Sequence, residues 1–92
     1  MIIQQTNVFK RRVKRMHKLE KAALDKAVKE IIADPSLGDM KIGDLSGIQI
    51  FKYKLNSQLY LLAYSYHEQK LVLTFIEHGS HENFYRYLKL QK

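Results

Sequence analysis

Residues 48–78 read IQIFKYKLNSQLYLLAYSYHEQKLVLTFIEH. Three runs in this stretch, 48–55, 59–67 and 70–78, are dense in isoleucine, leucine, phenylalanine and tyrosine, which suit a pleated, half-buried surface. Asn56-Ser57-Gln58 and Glu68-Gln69 separate the runs. Breaks that short join neighbouring antiparallel strands, since a parallel crossover needs a dozen residues or more. The expectation is an antiparallel meander. Gly79 ends it, and Ser80 stands where its hydroxyl can cap a last helix over 81–90, with Phe84 and Leu88 four apart on one face.

Before the meander lies a loop, 34–47, holding three of the four glycines and the only proline. Upstream of it the pattern is helical. Phe9, Val13 and Met16 recur at i, i+4 and i+7, and Leu19, Ala22, Ala23, Ala27, Val28, Ile31 and Ile32 continue an apolar stripe. The stripe accommodates one helix bent near residues 17–19 or two helices forming a hairpin, and the hairpin is favoured. Thr6 or Asn7 supplies a cap, and Pro35 stops the run because the residue before proline avoids the helical region. Residues 2–5 read as a short edge strand. The order β-α-α-β-β-β-α is an α+β pattern: an N-terminal helical hairpin packed on one face of a small antiparallel sheet, in one domain over 1–92. The other face, or the groove beside the last helix, is left for function.

The chain has no cysteine. That excludes disulfides, thiolate metal sites and a cysteine nucleophile, and fits a reducing compartment. No run approaches the roughly 18 apolar residues of a membrane span, and the first residues lack a secretory apolar segment. A soluble, cytoplasmic protein with no membrane partner is expected. The formal charge is +7 with a pI of 9.7, and it is uneven. Residues 1–30 hold nine Lys/Arg against three acids, and the remaining 62 hold seven against six. A basic helical edge on a nearly neutral body is the footprint of a phosphate binder; an acidic protein partner also fits it.

Two places carry candidate chemistry. Lys52 and Lys54 lie two apart on a strand, so both point to one side of the sheet. Like charges there repel, so the fold gains nothing from them, whereas a pair of ammonium groups suits a phosphodiester and the charge that builds as it breaks. His81 and Tyr85 lie four apart in the last helix and so share one side of it. Histidine is the usual acid–base residue near neutral pH, and a tyrosine can stack on a base. His78 and His81 are poorly spaced for a metal and lack a third ligand nearby, so neither metal nor cofactor is expected. His17 and His67 read as surface residues. The tyrosines at 53, 60, 64 and 66 read as sheet packing.

The element order, the size, the charge and four landmarks together resemble the RelE/ParE superfamily of type II toxins. The landmarks are Leu45-x-Gly47, Phe51-Lys52-Tyr53-Lys54-Leu55, Tyr60-Leu61-Leu62-Ala63-Tyr64 and Gly79-Ser80-His81-Glu82-Asn83-Phe84-Tyr85. The resemblance implies a toxin that cuts messenger RNA on the ribosome without a metal, the ribose 2′-hydroxyl attacking the adjacent phosphate to leave a 2′,3′-cyclic end. It implies that Lys52 and Lys54 activate the hydroxyl and stabilise the phosphate. It further implies that His81 is the general acid, as in the YafQ-like branch, and that Tyr85 positions a base. RelE carries an arginine in the following strand where Leu61 stands here, so one phosphate clamp is missing or comes from elsewhere, with Arg86 the candidate. Lys10, Arg11, Lys14, Arg15 and Lys18 would hold the protein on ribosomal RNA. A cognate antitoxin in a toxin–antitoxin hetero-oligomer is implied as well. The alternative within the superfamily is a ParE-type inhibitor of DNA gyrase that cuts no RNA.

Overall fold

The structure is a computed structural model and describes residues 1–80 and 84–90, with only the backbone of residues 86, 87 and 90. The elements run β1 (Ile2–Gln5), α1 (Asn7–Lys14), α2 (Lys18–Ala33), β2 (Asp39–Met40), β3 (Gln49–Leu55), β4 (Gln58–His67), β5 (Val72–Ser80) and α3 (Phe84–Leu90). Thr6 caps α1, its hydroxyl accepting from the Phe9 N–H and donating to the Ile76 carbonyl, so the cap also ties the helix to the sheet. The hairpin reading holds, with α1 and α2 meeting at residues 15–17.

The five strands stand in the order β1-β5-β4-β3-β2. The meander is antiparallel as expected, but β1 pairs with β5 in parallel, so the sheet is mixed. Asn56 and Ser57 form a tight two-residue turn with φ of 51° and 68°, and Gln58 already pairs with Leu55, so the turn is shorter than the three residues read from the sequence. The second turn is longer than expected. It takes residues 68–71, and Leu71 has φ 54°. In the loop before β3, the Gly38 N–H donates to the Tyr64 hydroxyl at 2.8 Å, and a Cβ there would lie 2.8 Å from the Tyr64 ring. Only glycine allows that approach.

Two core layers enclose the sheet. Phe9, Leu24, Ala27 and Ile31 from the hairpin pack on Leu62, Tyr64, Leu73 and Phe75. On the opposite face Phe84 and Leu88 pack on Leu45, Ile48, Ile50, Leu61 and Ala63. The helices therefore do not all lie on one face; α3 covers part of the face expected to be open. Gly79 does not end the third strand either. It pairs with Leu61, and Ser80 pairs with Tyr60, so Ser80 is the last strand residue, not a helix cap.

Candidate functional site

On β3 burial alternates. Phe51, Tyr53 and Leu55 are partly covered, while Lys52 and Lys54 are exposed. Lys52 lies opposite Leu61 and Lys54 opposite Leu59, residues of the layer under α3. The two ammonium groups thus stand side by side on the α3 face, beyond the part the helix covers. Tyr85 belongs to the same layer. It is half-buried, meets Phe84 edge-on, and lies beneath Lys41, whose Nζ is 5.5 Å from its ring centroid. Arg86 sits in α3, with its side chain outside the described residues, and His81 lies outside them altogether. The proposed RNA-binding residues Lys10, Arg11, Lys14, Arg15 and Lys18 are all exposed, and Arg15 lines a cavity.

That cavity lies mainly on the hairpin side, and apart from Arg15 its residues were not read as a site from the sequence. β4 and β5 slip register between Ala63 and Tyr64: Ala63 pairs with Glu77 and Tyr64 with Phe75, leaving Ile76 as an extra residue. The bulge reverses the phase of the strand. Before it Leu73 and Phe75 face the hairpin; after it His78, opposite Leu62, does so. His78 stacks 5.7 Å from Tyr53 and 5.5 Å from Tyr60, the latter nearly parallel at 7°. The Tyr53 hydroxyl and His78 Nε2 share a hydrogen bond. Burial first, and the Arg12 guanidinium second, hold the imidazole's pKa down to about 4. Burial, with Tyr60 and Glu20 adding to it, raises that of the Tyr53 phenol. Near neutral pH the phenol therefore donates and the uncharged ring accepts.

Glu77, only 2% exposed, receives the Arg12 Nε at 3.0 Å and its own neighbour's backbone N–H, from His78, at 2.9 Å. One charge in the apolar run Leu73-Thr74-Phe75-Ile76 was the signal for a buried pair, since such a group is retained only with a partner. The partner is the one arginine of α1 left out of the RNA-binding set. Among the described residues no three His, Cys, Asp or Glu side chains gather to hold a metal ion, and no helix is long and apolar enough to cross a membrane.

The family model for the ParE-like toxin of type II bacterial toxin-antitoxin systems matches residues 3–89. The chain belongs to that family. No curated protein sequence matches it. Among solved structures this ParE-like toxin is similar to E. coli RelE in the intact RelBE toxin–antitoxin complex, at 21% identity and a TM-score of 0.70, over 88% of this chain and 96% of that one. It is also similar to isolated E. coli RelE, at 19% identity and a TM-score of 0.68, over 99% and 98% of the two chains. A double arginine-to-alanine variant of E. coli RelE in the free state gives 20% identity and a TM-score of 0.72, over 96% and 90%. At that identity the likeness is one of fold. In the ParE-like toxin Leu61 is wholly buried beneath Phe84 and Leu88, so the position compared above with RelE's arginine belongs to the core.

Proposed function

We propose that this toxin is a metal-independent endoribonuclease that cuts messenger RNA on the ribosome. The observation that carries the reading is the exposed Lys52–Lys54 pair on β3, two like charges that the fold does not need and a phosphodiester does. The 2′-hydroxyl loses its proton to one lysine of the pair, which must act as the neutral amine, and attacks the adjacent phosphorus. The other ammonium offsets the charge on the phosphoryl oxygens. The 5′-oxygen leaves with a proton from His81, and the products are a 2′,3′-cyclic phosphate and a free 5′-hydroxyl. No water enters the first step and no redox change occurs, so atoms and charge balance without a cofactor. Tyr85 holds a neighbouring base, Arg86 is the candidate to replace the clamp absent at Leu61, and Lys10, Arg11, Lys14, Arg15 and Lys18 hold ribosomal RNA. A cognate antitoxin keeps the toxin silent in a hetero-oligomer; the RelBE complex, a fold neighbour, supports that partner.

The family description as ParE-like favours a second reading, a gyrase inhibitor without RNase activity. Induced expression in bacteria with mapping of messenger RNA ends separates the two. Cuts within translated frames, ending in cyclic phosphates and lost in the Lys52→Ala/Lys54→Ala variant, are expected. Intact messages together with DNA damage would hand the assignment to the gyrase reading.

A further inference from the structure

β1 follows β5 only as far as Phe75, so the last turn of β5, Glu77 to Ser80, runs beside α1 without a strand partner on that side among the described residues. Between this edge, the end of α1 and the start of α2 opens a cavity of about 490 Å³. Its size is that of a small-molecule site. Tyr60 and His78 line it on the hairpin face of the sheet, Phe84 reaches it from the opposite layer, and the cleavage chemistry proposed above does not use it.

We infer that this cavity seats one unpaired nucleotide of single-stranded RNA, an inference that rests on RNA being the substrate. Tyr60 and His78 line it as neighbours in a three-ring stack with Tyr53. The rings are fixed by the Tyr53–His78 hydrogen bond, and Tyr60, partly exposed at the cavity, offers its face to a base. Arg15, exposed and without an ion pair among the described residues, lines the same cavity and supplies a phosphate contact. Arg12 is held by Glu77 and shapes the wall. Gln58 and Ser80 bring an amide and a hydroxyl for a base edge and a ribose. Glu20, also in the lining, repels a second phosphate, so the site suits one nucleotide and not a polyphosphate.

The test is an NMR titration of the His78 and Tyr60 ring signals with a 2′-O-methyl trinucleotide, which cannot be cleaved, and with adenosine 5′-monophosphate and ribose 5-phosphate alongside. Saturable shifts with the trinucleotide, weakened roughly tenfold or more by Arg15→Gln and by Tyr60→Leu, are expected. Tyr60→Phe keeps the ring and should keep the binding, which guards against a variant that merely disturbs the fold. Lys52→Ala/Lys54→Ala should leave these shifts in place. Unmoved ring signals in a toxin that cuts messages would overturn the seat and spare the nuclease. Shifts in a toxin that cuts nothing would spare the seat and end the nuclease reading. Equal affinity for the monophosphate and the trinucleotide would overturn the RNA assignment in favour of a free nucleotide.

Discussion

His78 has an imidazole whose proton is disfavoured by the fold: its pKa is about 4 where the ordinary value is 6.5. The unfolded chain therefore binds more protons between those values, and stability must rise with pH across that window. The contribution is complete above about pH 6.5 and is lost as the pH falls through 4. A shift of that size corresponds to roughly 3 kcal/mol. Urea unfolding of the parent between pH 4 and 7 should show this loss on acidification, and His78→Gln should flatten the curve while lowering stability at pH 7. A parallel curve in the variant would move the pH sensitivity to another group. At the same scale, Lys52→Ala and Lys54→Ala should each lower cleavage about 10²-fold or more while leaving urea midpoints within error, because both side chains are exposed. The exposure of that pair was legible in the sequence, since strand alternation is a strict period of two. The burial of His78 was not, because an extra residue at Ile76 shifts the phase of the strand, and no residue type there marks the bulge.

The elements show the same division between local signals and distant ones. The hairpin, the three meander strands and the last helix follow from periodicity within single segments. What the sequence does not contain is which face α3 chooses, because that depends on where Leu61, Ala63 and Ile50 emerge once the sheet has formed. With α3 seated on Leu61, introducing the RelE arginine by Leu61→Arg would bury a guanidinium beneath Phe84 and Leu88. The expected result is a loss of several kcal/mol of stability and no gain in cleavage; a stable, more active Leu61→Arg variant would refute this packing argument. Docking of α1 is tested by Arg12→Ala. Glu77 keeps the His78 N–H, so the cost should be about 1–3 kcal/mol, and not the larger penalty of a carboxylate left wholly unpaired. Glu77→Gln with Arg12→Ala should recover part of it, measured as a double-mutant cycle.

Across the whole molecule the charge is polarised between the hairpin and the sheet. Residues 1–30 carry nine of the 16 basic side chains, and Lys10, Arg11, Lys14 and Lys18 are exposed along α1 and the start of α2. Cations displaced from a nucleic acid by such a surface return when salt is added, so attachment through it has a steep, measurable dependence on ionic strength. The candidate site adds two contributions that differ in kind. On the proposed reading the lysine pair would act only on the one phosphate that reacts, and the proposed base seat would bind through surface contact that salt hardly screens. Replacing Lys10, Arg11, Lys14 and Lys18 by glutamine should therefore lower the slope of log K against log salt by roughly 3 for single-stranded RNA, at about 0.7 per contact. Filter binding to ribosomal RNA between about 50 and 200 mM salt reads this directly. The rate of cleavage of RNA already bound should stay within a few-fold of the parent, since none of the four side chains lies on the Lys52–Lys54 face. A quadruple variant with an unchanged slope would place the attachment surface elsewhere on the toxin. A lowered slope accompanied by an equal fall in the bound-state rate would mean that the hairpin takes part in the chemistry, contrary to the separation of faces that the sheet imposes.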